Sequence, residues 1–347
     1  MTTDELIRQR MARQHLTAQT DAASVCRDLI ALQAQYWRNA VHALRIRSHG
    51  EPNWETFGKT WSLRGTLHLC READLPLLLR EGRTHFLRPQ DKTDDVDVYL
   101  DGKLCLTAAR KRHWMTRIPV MVDAGIDTRE GLREVCTAEG MTENEARCVF
   151  DPWGGLLRGL CEDGVLLYRA QEEKAFRRCG AFVPLSDAEA GLELARRYFT
   201  HYAPASIKDA AQFFGVTQAV IKKWCRDLPL ESHIWEGIEL FSLPCSIPNA
   251  EIPDCVFLAG FDPLLMGYDK KTNPILPQEH LRKIYNLGGI VHAPILLHGR
   301  VAGRWKQTGR RLELTPFKIM STYDMGLVET SAHELFGDMR IVWKDMV

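Results

Sequence analysis

Apolar positions along the first 48 residues fall into short helical runs separated by polar breaks. Leu6, Met11 and Leu16 mark one helix. A second amphipathic run covers Ser24 to Leu32, and a basic run with an apolar stripe covers Tyr36 to Arg47. Between them lies Leu32-Gln33-Ala34-Gln35. On an α-helix, side chains two residues apart point about 200° away from each other; they share a side only in extended or turn backbone. If the chain leaves the helix here, both amides face one groove and Ala34 anchors the backbone behind them. A neutral amide pair holds a water molecule but barely deprotonates it, which suits a substrate whose leaving group already carries positive charge.

Farther along, Trp61 to Leu69 largely alternates and predicts a strand, with Arg64 and His68 on one face and Thr66 between them. Residues 89–103 read as a loop crowded with Asp91, Asp94, Asp95, Asp97 and Asp101, with a turn at Asp101-Gly102. A basic helix follows around Arg110-Lys111-Arg112, a second starts at Thr128, and Thr142-Glu143-Asn144-Glu145 resembles a capping box opening a third. Gly164 to Tyr168 and Ala181 to Leu185 predict two strands. Three helices and a hairpin is winged-helix order.

The next stretch repeats that order. Ala188 to Tyr202 predicts a helix, Ser206 to Phe214 a short one stopped by Gly215, and Thr217 to Trp224 a third; Ile234 to Leu243 supplies strand material. Beyond it, Val256 to Ala259, Ile295 to Leu297, Val301 to Trp305 and Leu312 to Phe317 are strand-like, with a helix around 323–336. The predicted architecture is therefore α+β, with three tandem winged-helix units (1–104, 105–185 and 186–247) and a β-rich C-terminal part (248–347).

Composition narrows the chemistry. Among 347 residues Lys+Arg and Asp+Glu are 45 each, so any nucleic-acid surface has to come from segregated charge. The basic patch Lys103 to Arg117 is most simply a helix face balanced by the aspartates at 91–101. No apolar run reaches the ~18 residues of a transmembrane helix, and the polar start Met1-Thr2-Thr3-Asp4-Glu5 is unlike a secretory signal. The ten cysteines form no C-x-x-C pair, which predicts reduced, buried thiols in a cytoplasmic protein. His292 and His298 lack a third ligand at suitable spacing, so no metal is expected. No Gly-rich phosphate loop or Ser/His/Asp pattern is present.

Several segments, in this order, resemble the AlkZ/YcaQ family of DNA glycosylases, described as winged-helix DNA-binding domain proteins. They are Leu32-Gln33-Ala34-Gln35, Leu63-Arg64-Gly65-Thr66-Leu67-His68, Ala203 to Gly215, Phe261-Asp262-Pro263-Leu264-Leu265-Met266-Gly267-Tyr268, and Gly288-Gly289-Ile290 through Arg304-Trp305. The resemblance implies three winged helices curved around a concave channel, a Gln-x-Gln or Gln-x-Asp motif in that channel, and hydrolysis of the glycosidic bond of bulky purines alkylated at ring nitrogen 7. In some members it implies unhooking of interstrand crosslinks. The Gln-x-Gln form at Gln33 and Gln35 places the chain nearer the crosslink-resistance branch.

On this reading Gln35 positions the water and Gln33 assists it. Arg45, Arg47, Arg64, His68 and Trp37 are candidate contacts to double-stranded DNA, and Asp262 a candidate stabiliser of the cationic sugar. The expected enzyme is a monomeric, monofunctional glycosylase without a cofactor or a membrane partner. The competing reading is a non-catalytic winged-helix DNA-binding regulator using the helix–turn–helix at 206–224, with Lys222 and Lys223 on its second helix.

Overall fold

The computed structural model describes residues 1–245 and 251–346. By internal packing the chain forms two compact units, Met1–Pro52 with Gly191–Val347, and Asn53–Ala190. The expected boundary at 247/248 lies outside the described residues.

In chain order the first unit opens with helices α1 (Thr3–Arg13) and α2 (Ala22–Asp28), the extended pair β1 (Leu32–Gln33) and α3 (Trp37–Arg45). The Thr2 hydroxyl caps α1 by accepting from Glu5 N–H, and the Asp21 carboxylate caps α2 by accepting from Ser24 N–H. Helix α2 is shorter than predicted, because Ile30 takes the left-handed φ of 70° and turns the chain out of the helix.

The second unit begins with a hairpin where one strand was expected. Strands β2 (Phe57–Trp61) and β3 (Leu67–Arg71) pair antiparallel around a tight turn at Leu63–Gly65, in which Arg64 and Gly65 have φ of 53° and 65°. Alternation survives on both sides of such a turn, so the pattern alone does not reveal the reversal. Helix α4 (Leu75–Leu78) and the hairpin β4 (Val98–Leu100) and β5 (Lys103–Leu106) follow.

Four helices come next where three were expected: α5 (Ala108–Asp123), α6 (Arg129–Ala138), α7 (Glu143–Val149) and α8 (Leu156–Glu162). Every residue of α8 is buried, so it lacks the amphipathic stripe that would announce it. The capping box at Thr142 and Glu145 forms as read. Aspartates of the preceding loop neutralise the basic face of α5, with Asp94 paired to Lys111 (2.9 Å) and Asp95 to Arg112.

Strands β6 (Leu166–Arg169) and β7 (Phe176–Arg178) close this unit, β6 pairing with both β7 and β2. The returning strand is thus 176–178 rather than 181–185. The later segment instead exchanges backbone bonds with 76–81, Leu185 N–H reaching Pro76 O and Glu81 N–H reaching Leu185 O. The core of the unit gathers Trp114, Ile118, Leu132, Leu156, Leu160, Leu166 and Phe176. Cys105 and Cys148 are paired as a disulfide, a departure from the all-thiol expectation.

Helix α9 (Asp187–His201) leads back into the first unit, followed by α10 (Ile207–Phe214), α11 (Gln218–Trp224) and the hairpin β8 (Glu231–Trp235) and β9 (Ile238–Ser242). Ser206 and Asp209 form a reciprocal capping box on α10, and Gly215 ends it at a left-handed φ of 68°. The last stretch holds β10 (Cys255–Phe257), α12 (Pro263–Met266), α13 (Leu281–Ile284), β11 (Pro294–Leu297), β12 (Arg300–Thr308), β13 (Arg311–Pro316), α14 (Thr322–Phe336) and β14 (Arg340–Trp343). Its five strands make one sheet in chain order, antiparallel except for the parallel β13–β14 pair. Val328 and Ala332 of α14 pack with Phe257, Ile295, Leu312 and Leu314 of this sheet. Among the described residues no helix is long and apolar enough to cross a membrane.

Candidate active site

The glutamine segment connects α2 to α3. After the turn at Ile30 the backbone is extended through Leu32 and Gln33, and Tyr36 is the non-helical residue that precedes α3. Leu32 and Ala34 are buried, Gln33 is half-buried and Gln35 is exposed. That alternation puts both amides on one side, and they meet: Gln33 Nε2 donates to Gln35 Oε1 at 2.8 Å. Gln33 Oε1 is buried and has no hydrogen-bond partner. An acceptor in that state costs on the order of 1–3 kcal/mol unless something donates to it. The pair therefore offers an unfilled carbonyl within a neutral, mutually oriented amide couple.

Tyr36, next in sequence, is 49% exposed and stacks on Phe261 with centroids 5.8 Å apart and planes at 16°. Trp37, the aromatic singled out from sequence, is only half-buried in the first turn of α3. The open ring beside the amides belongs to Tyr36, which sequence reasoning passed over although it directly follows Gln35. Gly260 lets Asn39 of α3 and the Val291 carbonyl approach closely; a β-carbon there would lie 2.7 Å from Asn39 and 2.9 Å from Val291 O.

Behind this surface, two of the proposed DNA and cation contacts are consumed by each other. Arg47 and Asp262 have wholly buried side chains joined by two hydrogen bonds, 2.6 and 3.0 Å. Arg47 also donates to the Gln14 and Ala43 carbonyls at 3.0 Å, and Asp262 caps α12 by accepting from Leu264 N–H at 2.9 Å. Neither residue has a face left for a phosphate or a sugar. Both expectations are corrected: the pair ties the end of α3 to the loop carrying Phe261. His42, on the same helix, is buried with its ring 4.7 Å from that of Trp305 and Nε2 2.7 Å from Phe257 O. Burial holds its pKa down to about 4, so it is neutral at pH 7.

Arg45 stays on the exposed side of α3, where Nη2 donates to Leu335 O at 2.6 Å. Arg64 and His68 belong to the other compact unit. Arg64 sits in the β2–β3 turn, and His68 lies on β3, so the shared strand face does not exist. His68 is 2% exposed, with Nδ1 2.9 Å from Thr66 O. Burial first, and the Arg64 charge second, lower its pKa to about 3. A buried neutral ring does not serve as a phosphate-binding cation, which corrects that assignment as well. Lys222 and Lys223 are exposed on α11.

A mixed helix-and-sheet protein with a paired amide motif between two helices is the class that fold and site define. Residues 26–336 match the family described as DNA glycosylase AlkZ-like. A Streptomyces sahachiroi protein described as an interstrand DNA cross-link repair glycosylase is 25% identical over 355 aligned positions, spanning 93% of this chain and 92% of that protein. The solved structure of Streptomyces sahachiroi DNA glycosylase AlkZ superposes with a TM-score of 0.72 at 23% identity, covering all of both chains. The chain belongs to the AlkZ-like DNA glycosylase family. The family is one of hydrolases acting on DNA, and membership does not favour the regulator reading.

Proposed function

We propose that the protein is a monofunctional DNA glycosylase that releases bulky purines alkylated at nitrogen 7, with Gln35 as the principal water-positioning residue and Gln33 as its partner. The observation that carries this reading is the Gln33–Gln35 hydrogen bond in extended backbone beside an unfilled Gln33 carbonyl. An N7-alkylated purine holds a fixed positive charge. When the bond from its nitrogen 9 to C1′ breaks, the base keeps the electron pair and leaves neutral. Water then bonds to C1′ and loses one proton to solvent, giving an abasic site. No acid is needed for departure, so two uncharged amides suffice to orient the nucleophile and tolerate a cationic sugar. The described relative repairs interstrand crosslinks, and a crosslink joined through nitrogen 7 is the same chemistry on a larger leaving group.

In this reading the DNA partner is a duplex, contacted by exposed groups such as Arg45 and Tyr36. The units 105–185 and 186–247 serve as winged helices alongside 1–104. The α9–α10–α11 and β8–β9 order of the third unit supports that division best. The test is release of guanine carrying a bulky alkyl substituent on nitrogen 7 from duplex DNA, read as the freed base and as abasic sites cleaved by mild alkali. Gln35→Ala should slow release by about 100-fold, the worth of one positioned catalytic group. Wild-type activity with an undiminished Gln35→Ala variant, or no release by either protein, overturns the assignment.

A further inference from the structure

We propose that His15, Asp28 and His201 form a binding site for one divalent transition-metal ion of the zinc class, separate from the glutamine pair. His15 lies two residues past the end of α1, just after its C-cap Gln14, Asp28 is the last residue of α2, and His201 is the last of α9. Their potential ligand atoms all lie within 4.8 Å of one another. Asp28 Oδ2 is 2.8 Å from His15 Nε2, and Asp28 Oδ1 is 3.4 Å from His201 Nε2. Zinc–nitrogen and zinc–oxygen bonds near 2.1 Å in a tetrahedral set space their ligand atoms by about 3.4 Å.

The hydrogen-bond roles point to a cation. His201 Nδ1 lies 3.2 Å from the Arg13 carbonyl, a pure acceptor, so Nδ1 carries the proton. In the neutral ring, Nε2 then turns a lone pair toward a carboxylate oxygen. That sets a ring nitrogen lone pair 3.4 Å from a carboxylate oxygen, a spacing that a cation bound to both atoms would satisfy. An Nδ1–H anchored on a backbone carbonyl with Nε2 free is the arrangement that orients metal-binding histidines.

His15 adds a second argument. Leu16 N–H bonds to Met11 O at 3.0 Å, and His15 occupies the left-handed position of this helix ending with φ of 59°. Glycine takes that position without steric cost. A histidine there holds its ring against Asp28. Arg27 Nε shares Asp28 Oδ1 at 2.8 Å, but a carboxylate offers about four lone-pair positions, so Oδ2, in contact with His15 Nε2 at 2.8 Å, keeps a further lone pair for the ion. The bound ion would tie the N-terminal helices to α9 and brace the turn at Ile30 that leads to Gln33. The trio escaped the earlier expectation of no metal because its members are scattered along the chain, whereas His292 and His298 are not.

Chelator-treated protein is titrated with Zn²⁺ while thermal unfolding is followed, and with Co²⁺ while the visible spectrum is recorded. One equivalent should bind at micromolar metal, raise the melting temperature, and give ligand-field bands without thiolate charge transfer. His15→Gly suits the left-handed backbone and should fold, yet it and His201→Gln should each weaken binding roughly tenfold or more and erase the thermal shift. Cys245→Ser, at an exposed thiol, should change nothing. Absence of one-to-one binding, thiolate bands in the cobalt spectrum, or undiminished binding by both histidine variants overturns the site.

Discussion

Asp262→Ala separates a structural role for this carboxylate from a catalytic one. Its partner Arg47 is wholly buried and keeps only two carbonyl contacts once the carboxylate is gone, those of Gln14 and Ala43. Removing one member of a buried, hydrogen-bonded ion pair costs about 3–5 kcal/mol, because the remaining charge is stranded. Loss of the bond to Leu264 N–H removes a helix cap worth about 1 kcal/mol. The surviving carbonyl contacts pull the total toward the lower end, about 4 kcal/mol. Urea unfolding at pH 7 followed by tryptophan fluorescence measures it. The variant Arg47→Met strands Asp262 instead and should cost a similar amount. The double variant Arg47→Met with Asp262→Leu replaces both charges with apolar groups and should recover about 2 kcal/mol or more relative to the summed single losses. Base release, assayed well below the unfolding midpoint, should stay within about tenfold of wild type on this argument. Stability of Asp262→Ala within about 1 kcal/mol of wild type, together with a 100-fold loss of base release, would refute it. Asp262 would then act on the sugar cation rather than on Arg47.

Three further outcomes follow from the packing. His42 has a folded pKa of about 4 against 6.5 for the free side chain, so below pH 6.5 the unfolded chain takes up a proton that the native state refuses. Stability associated with neutral His42 is full above pH 6.5 and is lost as pH falls toward 4; between pH 7 and 5 this group alone should remove about 2 kcal/mol. A His42→Phe variant with a flatter profile over that window would support the assignment, and an unchanged slope would count against it. Gly159→Ala places a β-carbon 2.1 Å from the Asp91 backbone oxygen. Neither backbone yields cheaply, so a loss of about 3 kcal/mol in urea unfolding is expected, and a change under 0.5 kcal/mol would show that α8 can shift. Tyr36→Ala should cost little stability, since the ring is half-exposed, but should slow release of a bulky lesion by about tenfold if the ring supports a base by stacking; equal rates would remove Tyr36 from the site.

Local chemistry made part of this molecule readable in advance. The spacing of the glutamine pair singled it out, since two amides at i and i+2 share a side only outside a helix, and the family resemblance gave it an expected role; Ile30 supplies the exit from the helix. The capping box at Thr142 and the glycine stop at Gly215 are written in a few residues of local sequence, and each forms. Helix α8 and the β2–β3 turn left weaker traces. A helix buried on every side has no stripe, and a tight turn inside an alternating run preserves the alternation it interrupts. The 176–178 strand was displaced in prediction by Ala181 to Leu185, a more apolar segment that makes only a pair of bridging backbone bonds.

Charged side chains were harder to read than apolar ones, for a definite reason. Arg45 and Arg47 are two residues apart on one helical run, and nothing local separates them. Arg45 ends exposed, whereas Arg47 is sealed inside because an aspartate 215 positions later arrives to meet it. Asp28 and His201 are joined in the same long-range way. A net charge of zero is compatible with a DNA-binding protein when much of each sign is spent internally, as in Arg47–Asp262, Arg158–Glu162 and Lys111–Asp94. The cations available to a phosphate are then those left over after such pairing, and they are a property of the fold rather than of composition. On the proposed function an uncharged pair fits the same logic, because two amides hold each other at 2.8 Å without recruiting a counter-ion.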